Sequence, residues 1–164
     1  MRKRIVFTTW GSLGDLHPYL ALAFELQRRG HDVAVATVPA WRSHVERAGI
    51  EFLPMRPDVP PQEESREIVR RILDPREGPA YLFTQVFGPV IRDVYDDTVA
   101  AARGADLLVS HQIPLTTPIV VEQTGVRWVS GVLMPMGFLS AYDPPTPPQA
   151  PGLRTIAAWH PALG

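Results

Sequence analysis

At 164 residues the chain has the length of about one domain and enough material to bury a substantial core. A formal charge of −1, with both signs spread along the sequence, leaves no electrostatic footprint for nucleic acid or an anionic membrane. Zero cysteines exclude disulfides and thiolate metal sites, and they fit a cytoplasmic setting without requiring it.

Met1-Arg2-Lys3-Arg4 has the look of a signal-peptide start, but the apolar run Ile5 to Phe7 is too short for a signal core or a membrane span. Lys3 to Thr9 reads instead as a buried strand. It breaks into Trp10-Gly11-Ser12-Leu13-Gly14-Asp15-Leu16-His17-Pro18, and an apolar helix is predicted from about Leu16 to Arg29. Leu16, Tyr19, Leu20, Leu22, Ala23 and Leu26 share its apolar face, and Gly30 stops it. A second strand, Asp32 to Val38, completes a right-handed βαβ unit, the opening of a Rossmann-like, doubly wound parallel α/β sheet. Ligands of such sheets bind beyond the carboxyl ends of the strands, so Gly11 to Pro18 lies at a functional crevice.

A dinucleotide fingerprint needs three glycines, G-x-G-x-x-G, and an acidic residue about 20 positions on. Thr9 stands where the first glycine belongs, and the second strand ends Thr37-Val38-Pro39 with no carboxylate. A nicotinamide or flavin oxidoreductase is therefore disfavoured. Gly11 and Gly14 also have a plain structural use, in a tight turn and close helix packing.

Ala40 to Ala48 is predicted as a short helix, Ile50 to Leu53 as a third strand, and Glu63 to Leu73 as a polar helix. Ala80 to Arg103 reads as a long helix with a kink at Pro89, or as two abutting helices that meet there. Ala105 to Ser110 is strand four, Thr116 to Gln123 a helix, and Arg127 to Val132 strand five. Beyond Met134 the pattern decays, and the stretch from Pro144 to Pro151 carries five prolines, which no sheet interior accepts. The expected strand order is 3-2-1-4-5, in one domain over residues 1–164, with an end at Gly164 that looks like a cut. Strands one and four flank the switch point of that order, so Asp15 and His111 face one crevice.

The run Gly11 to Ala23, followed by Arg29-Gly30-His31-Asp32-Val33 and Ala36-Thr37, resembles the opening of the glycosyltransferases of families 1 and 28. The resemblance covers essentially the whole chain and implies the GT-B fold, two Rossmann-like domains across a cleft. It implies that this chain is the acceptor-binding half and that a C-terminal domain binds the nucleotide-sugar donor. The expected partners are thus a small apolar acceptor and that donor domain, with no nucleic acid, no transmembrane segment and peripheral membrane contact left open. No cofactor is expected, the nucleotide-sugar being a co-substrate.

In such relatives the base that takes the acceptor's proton is a histidine or an aspartate just after the second glycine, a position held here by Asp15. A carboxylate is a weak base toward an alcohol, which suffices if the transition state is oxocarbenium-like and the proton leaves late. The competing reading makes Asp15 a cap for the first helix. Histidine-type relatives carry an aspartate where this chain has His111, so the pair looks exchanged. His111 could orient Asp15, bind the acceptor, act as base, or simply satisfy local backbone. Trp10, Gly14, His17, Met134, Met136 and Phe138 are assigned to the acceptor pocket, where methionine and aromatic side chains adapt to a bulky aglycone, with a local hydrogen-bonding role preferred over catalysis for His17. Phe83, Phe87 and Tyr142 are further candidates, the first two competing with a helix-core role. His31, His44 and His160 carry no assignment, and no His/Asp/Glu spacing suits a metal. The reading is an inverting, metal-independent glycosyltransferase half, inactive alone; the alternative is a non-catalytic binding module of the same fold.

Overall fold

The computed structural model describes residues 1–58 and 62–134. Five parallel strands form one sheet in the order β3-β2-β1-β4-β5, as the sequence predicts. They are β1 (Arg4–Thr8), β2 (Asp32–Thr37), β3 (Glu51–Pro54), β4 (Leu107–His111) and β5 (Arg127–Gly131). Between them run α1 (Leu13–Arg28), α2 (Arg42–Arg47), α3 (Gln62–Ile72), α4 (Gly78–Tyr81), α5 (Ile91–Ala102) and α6 (Thr117–Thr124).

Alternation along the strands divides the core into two layers. Ile5 and Phe7 of β1 join Val33, Val35 and Val109 beneath Leu16, Tyr19 and Ala23 of α1 and Val45 of α2. Val6, Ala34, Ala36 and Leu108 point the other way, into Trp10, Met55, Phe87, Val94 and Ala101. Burying each large side chain in these layers contributes about 1.5–3 kcal/mol relative to exposure. Right-handed crossovers place helices on both faces because the strand order runs one way from β1 to β3 and the other way from β1 to β5.

Several boundaries differ from the sequence reading. The first helix starts at Leu13 rather than Leu16, because Ser12 is its N-cap and Asp15 lies inside the first turn. Leu22, placed on the apolar face by periodicity, is exposed, since only a narrow stripe of α1 meets the sheet. The long helix is interrupted as expected: a π-helical stretch, Leu82–Phe87, and a 3-10 turn, Gly88–Val90, precede α5. Pro89 lacks an N–H, which disfavours a regular α-helix there. His111 closes β4 instead of following it. The proline-rich stretch lies outside the described residues.

Candidate functional site

The crevice is built where β1 stops. Thr9 and Trp10 are still buried, and the chain then reverses through Gly11 at a φ of +121°, open to glycine and strained for other residues. A Cβ at Gly11 would lie 2.3 Å from Asp15 Oδ2, so the position is closed by space as well as by backbone conformation. From beyond β2, the Trp41 indole Nε1–H donates to the Gly11 carbonyl at 3.0 Å and holds the turn against the 3-10 segment Pro39–Trp41.

The turn feeds directly into α1. The Gly14 N–H donates to Ser12 Oγ at 3.1 Å. Asp15 Oδ2 accepts from the Ser12 N–H at 2.7 Å and from the Ser12 hydroxyl at 2.9 Å. This is a capping box, with a carboxylate at the positive end of the helix. The cap reading of Asp15 is therefore correct, but it uses only one carboxylate oxygen. The other, Oδ1, stands 3.8 Å from His111 Nε2. That is longer than a hydrogen bond and close enough for a direct electrostatic influence.

His111 reaches this place because β4 lies beside β1, with Phe7 opposite Val109 and Thr8 opposite Ser110. Its side chain is fully buried, whereas that of Asp15 is 19% exposed. Among the described residues, neither imidazole nitrogen has a hydrogen-bond partner. Burial pushes the His111 pKa below the ordinary histidine value, opposed by the Asp15 charge and the Trp10 backbone. Burial thus favours the neutral form of the ring. Tyr19, one turn after Asp15, meets the His111 ring edge-on at 6.0 Å. Burial, and then the Asp15 charge, raises its phenol pKa to about 12.

Trp10 lies beside the turn as expected, but its ring packs in the opposite core layer from Tyr19. It stacks on Phe87 with centroids 4.5 Å apart, and its buried Nε1 has no hydrogen-bond partner among the described residues. The two rings, with Ile91, Ile113 and Leu115, line a small open hollow. Phe83 is exposed and touches Phe87 edge-on. Gly14 and His17 are exposed in the first turns of α1, and Met134 is exposed just past β5. Met136, Phe138 and Tyr142 lie outside the described residues.

Sequence reasoning missed three contributors. The Ser12-x-x-Asp15 spacing ahead of an apolar run is a legible capping-box signal. Tyr19 sits at i+4 from Asp15, also legible, but it passed for plain core. Trp41 carried no local signal. Among the described residues, no group of three or more His, Cys, Asp or Glu side chains could hold a metal ion. The N–H groups of Ser12 and Gly14, which a bound phosphate would need, already serve the Asp15 carboxylate and the Ser12 hydroxyl.

Residues 5–87, half of the chain, match the model of the glycosyltransferase family 28 N-terminal domain. O-mycaminosyltylonolide 6-deoxyallosyltransferase of Streptomyces fradiae is 33% identical over 132 residues, covering 77% of this chain and 30% of the relative. Sterol 3-beta-glucosyltransferase of Neurospora crassa is 29% identical over 143 residues, or 85% of this chain and 9% of that protein. The chain thus spans a third or less of these relatives' lengths. Among solved structures, the glycosyltransferase SnogD from Streptomyces nogalater superposes with a TM-score of 0.61 at 21% identity, over 99% of this chain and 40% of that one. SsfS6 of Streptomyces sp. SF2575 gives 0.57 at 24% identity, over 80% and 39% respectively. No helix among the described residues is long and apolar enough to cross a membrane.

Proposed function

The chain belongs to the glycosyltransferases as a family 28 N-terminal domain, and from that premise we propose that it is the acceptor-binding half of an inverting, metal-independent enzyme. The sugar comes from a nucleotide-sugar held by a separate domain and goes to a hydroxyl of an apolar acceptor of the polyketide or sterol kind. The names of its macrolide and sterol relatives support that acceptor class.

One observation carries the mechanism: Asp15 Oδ1, the carboxylate oxygen not bonded to Ser12, faces His111 Nε2 at 3.8 Å beside the carboxyl edge of the sheet. Asp15 is partly open to solvent and His111 is not, so the acceptor hydroxyl meets the carboxylate and His111 stands behind it. The acceptor oxygen attacks the anomeric carbon of the donor, the bond to the nucleoside diphosphate breaks, and Asp15 takes the hydroxyl proton. The neutral His111 ring orients the carboxylate and can donate to it through Nε2–H as the site tightens on closure. Ile91 and Leu115, exposed beside the buried Trp10–Phe87 stack, offer an apolar wall for the aglycone. Water exclusion and alignment need the second domain, so this half alone does not turn over.

Titration calorimetry tests the assignment. The chain is expected to bind hydroxylated macrolide or sterol acceptors weakly and nucleotide sugars hardly at all; micromolar nucleotide-sugar affinity would overturn it. Joined to its donor domain, it should release product of inverted anomeric configuration, read by NMR. A second reading, a non-catalytic binding module, draws support from the capping bonds of Asp15, and substitution at Asp15 separates the two.

A further inference from the structure

We propose that Tyr19 is a positioning residue that holds the His111 ring in register with Asp15. This rests on the reading of Asp15 and His111 as the transfer pair. Asp15 and Tyr19 are i and i+4 on α1, so one face of one helix brings both onto the same imidazole. Asp15 approaches Nε2, while the Tyr19 ring meets the imidazole edge-on at an interplanar angle of 63°. The two are the titratable side chains that meet His111 among the described residues.

The hydroxyl of Tyr19 does more than fill space. Its one proton is shared between the Gly131 carbonyl at 3.2 Å and the Ser110 carbonyl at 3.4 Å, joining the ends of β4 and β5. The Ser110 carbonyl belongs to the peptide that leads into His111, so this bond bears on the plane from which the imidazole projects. Gly131 is the register partner of His111. It is a strand residue outside the positive-φ glycines, so backbone conformation does not explain it. A Cβ there would lie 2.4 Å from the Tyr19 hydroxyl oxygen, so the bare position makes room for the phenol. Helix, phenol and side-chain-free strand residue form one fitted unit around the histidine.

The test uses the full chain with 15N-labelled histidine, the His111 signals being identified by their loss in His111→Gln. In the wild type His111 is expected as one neutral tautomer that titrates below the ordinary range. Tyr19→Phe removes only the hydroxyl. It should mix the tautomers and move the titration midpoint toward the ordinary value, as water reaches a loosened ring. Gly131→Ala, which displaces the hydroxyl from the opposite side, should do the same. Tyr95→Phe, whose hydroxyl donates to Gln123, should leave the His111 signals alone. If both test variants merely lower the melting temperature while tautomer and midpoint stay put, Tyr19 is packing only and the proposal fails. If the His111 signals respond while Asp15→Asn retains full transfer activity, the positioning stands and the catalytic reading of the pair falls.

Discussion

Replacing Asp15 with asparagine separates chemistry from capping, because the two roles carry different free energies. The carboxylate makes two bonds to Ser12, at 2.7 and 2.9 Å, at the start of a 16-residue helix. Loss of such a cap typically costs ~1 kcal/mol, and loss of a charge favourable to the helix dipole another ~0.3–1 kcal/mol. Asparagine keeps an oxygen that can accept from the Ser12 N–H, so ~1 kcal/mol in total is the expected penalty. Against a domain stability of ~5–15 kcal/mol, that leaves more than about 99% of the molecules folded. Capping alone therefore cannot reduce the rate appreciably. Losing a general base should lower transfer by roughly 10²–10⁴-fold, or about 3–5 kcal/mol of barrier. The assay pairs initial rates of the complete enzyme with urea midpoints of the same samples. A rate within about threefold of wild type, alongside the midpoint shift, would refute the base assignment and leave Asp15 a cap.

Other perturbations follow from the same geometry. Gly11→Ala combines a strained φ of +121° with a Cβ 2.3 Å from the Asp15 carboxylate; denaturant melts should show a loss of ~2–4 kcal/mol, and transfer should fall with it. His111 is held below its ordinary pKa, so the unfolded chain takes up the proton first as pH falls. Stability should then drop as pH goes below about 6.5, by at most ~1.4 kcal/mol per pH unit from this group. His111→Gln should flatten that stretch of the pH profile, and an unchanged slope would refute the buried neutral ring. The carboxylates of Asp97 and Asp106, whose pKa values are lowered, lose their contribution only further down, in the carboxylate range. Phe87→Ala opens the stack on Trp10 and should cost ~3–5 kcal/mol, whereas Phe83→Ala, at an exposed position, should stay within about 0.5 kcal/mol; thermal melts rank the two.

Local patterns carried most of the architecture. The apolar run Ile5 to Phe7, the glycine turn, the period of Leu16, Tyr19 and Ala23, and Pro89 each report on neighbours a few positions away. They identify a doubly wound fold, whose usual strand order is the one observed, and they mark the interruption at Pro89. That Asp15 and His111 belong to one edge of the sheet follows from topology as well.

Long-range register decided the rest. Whether a strand-end histidine is exposed or wholly enclosed depends on what α1 and β5 lay over it, and no window of sequence contains both. The division of one carboxylate between Ser12 and His111 arises because a helix cap and a neighbouring strand converge there. Periodicity placed Leu22 and Tyr19 on the same apolar face, yet one is exposed and the other buried against His111. Hydrophobic spacing marks a face, while the curvature and twist of the sheet choose how much of it is covered. The chemical types at the crevice were thus legible in the chain. Their pairing came from strands and helices distant in sequence, brought to contact distance by the packing of the sheet.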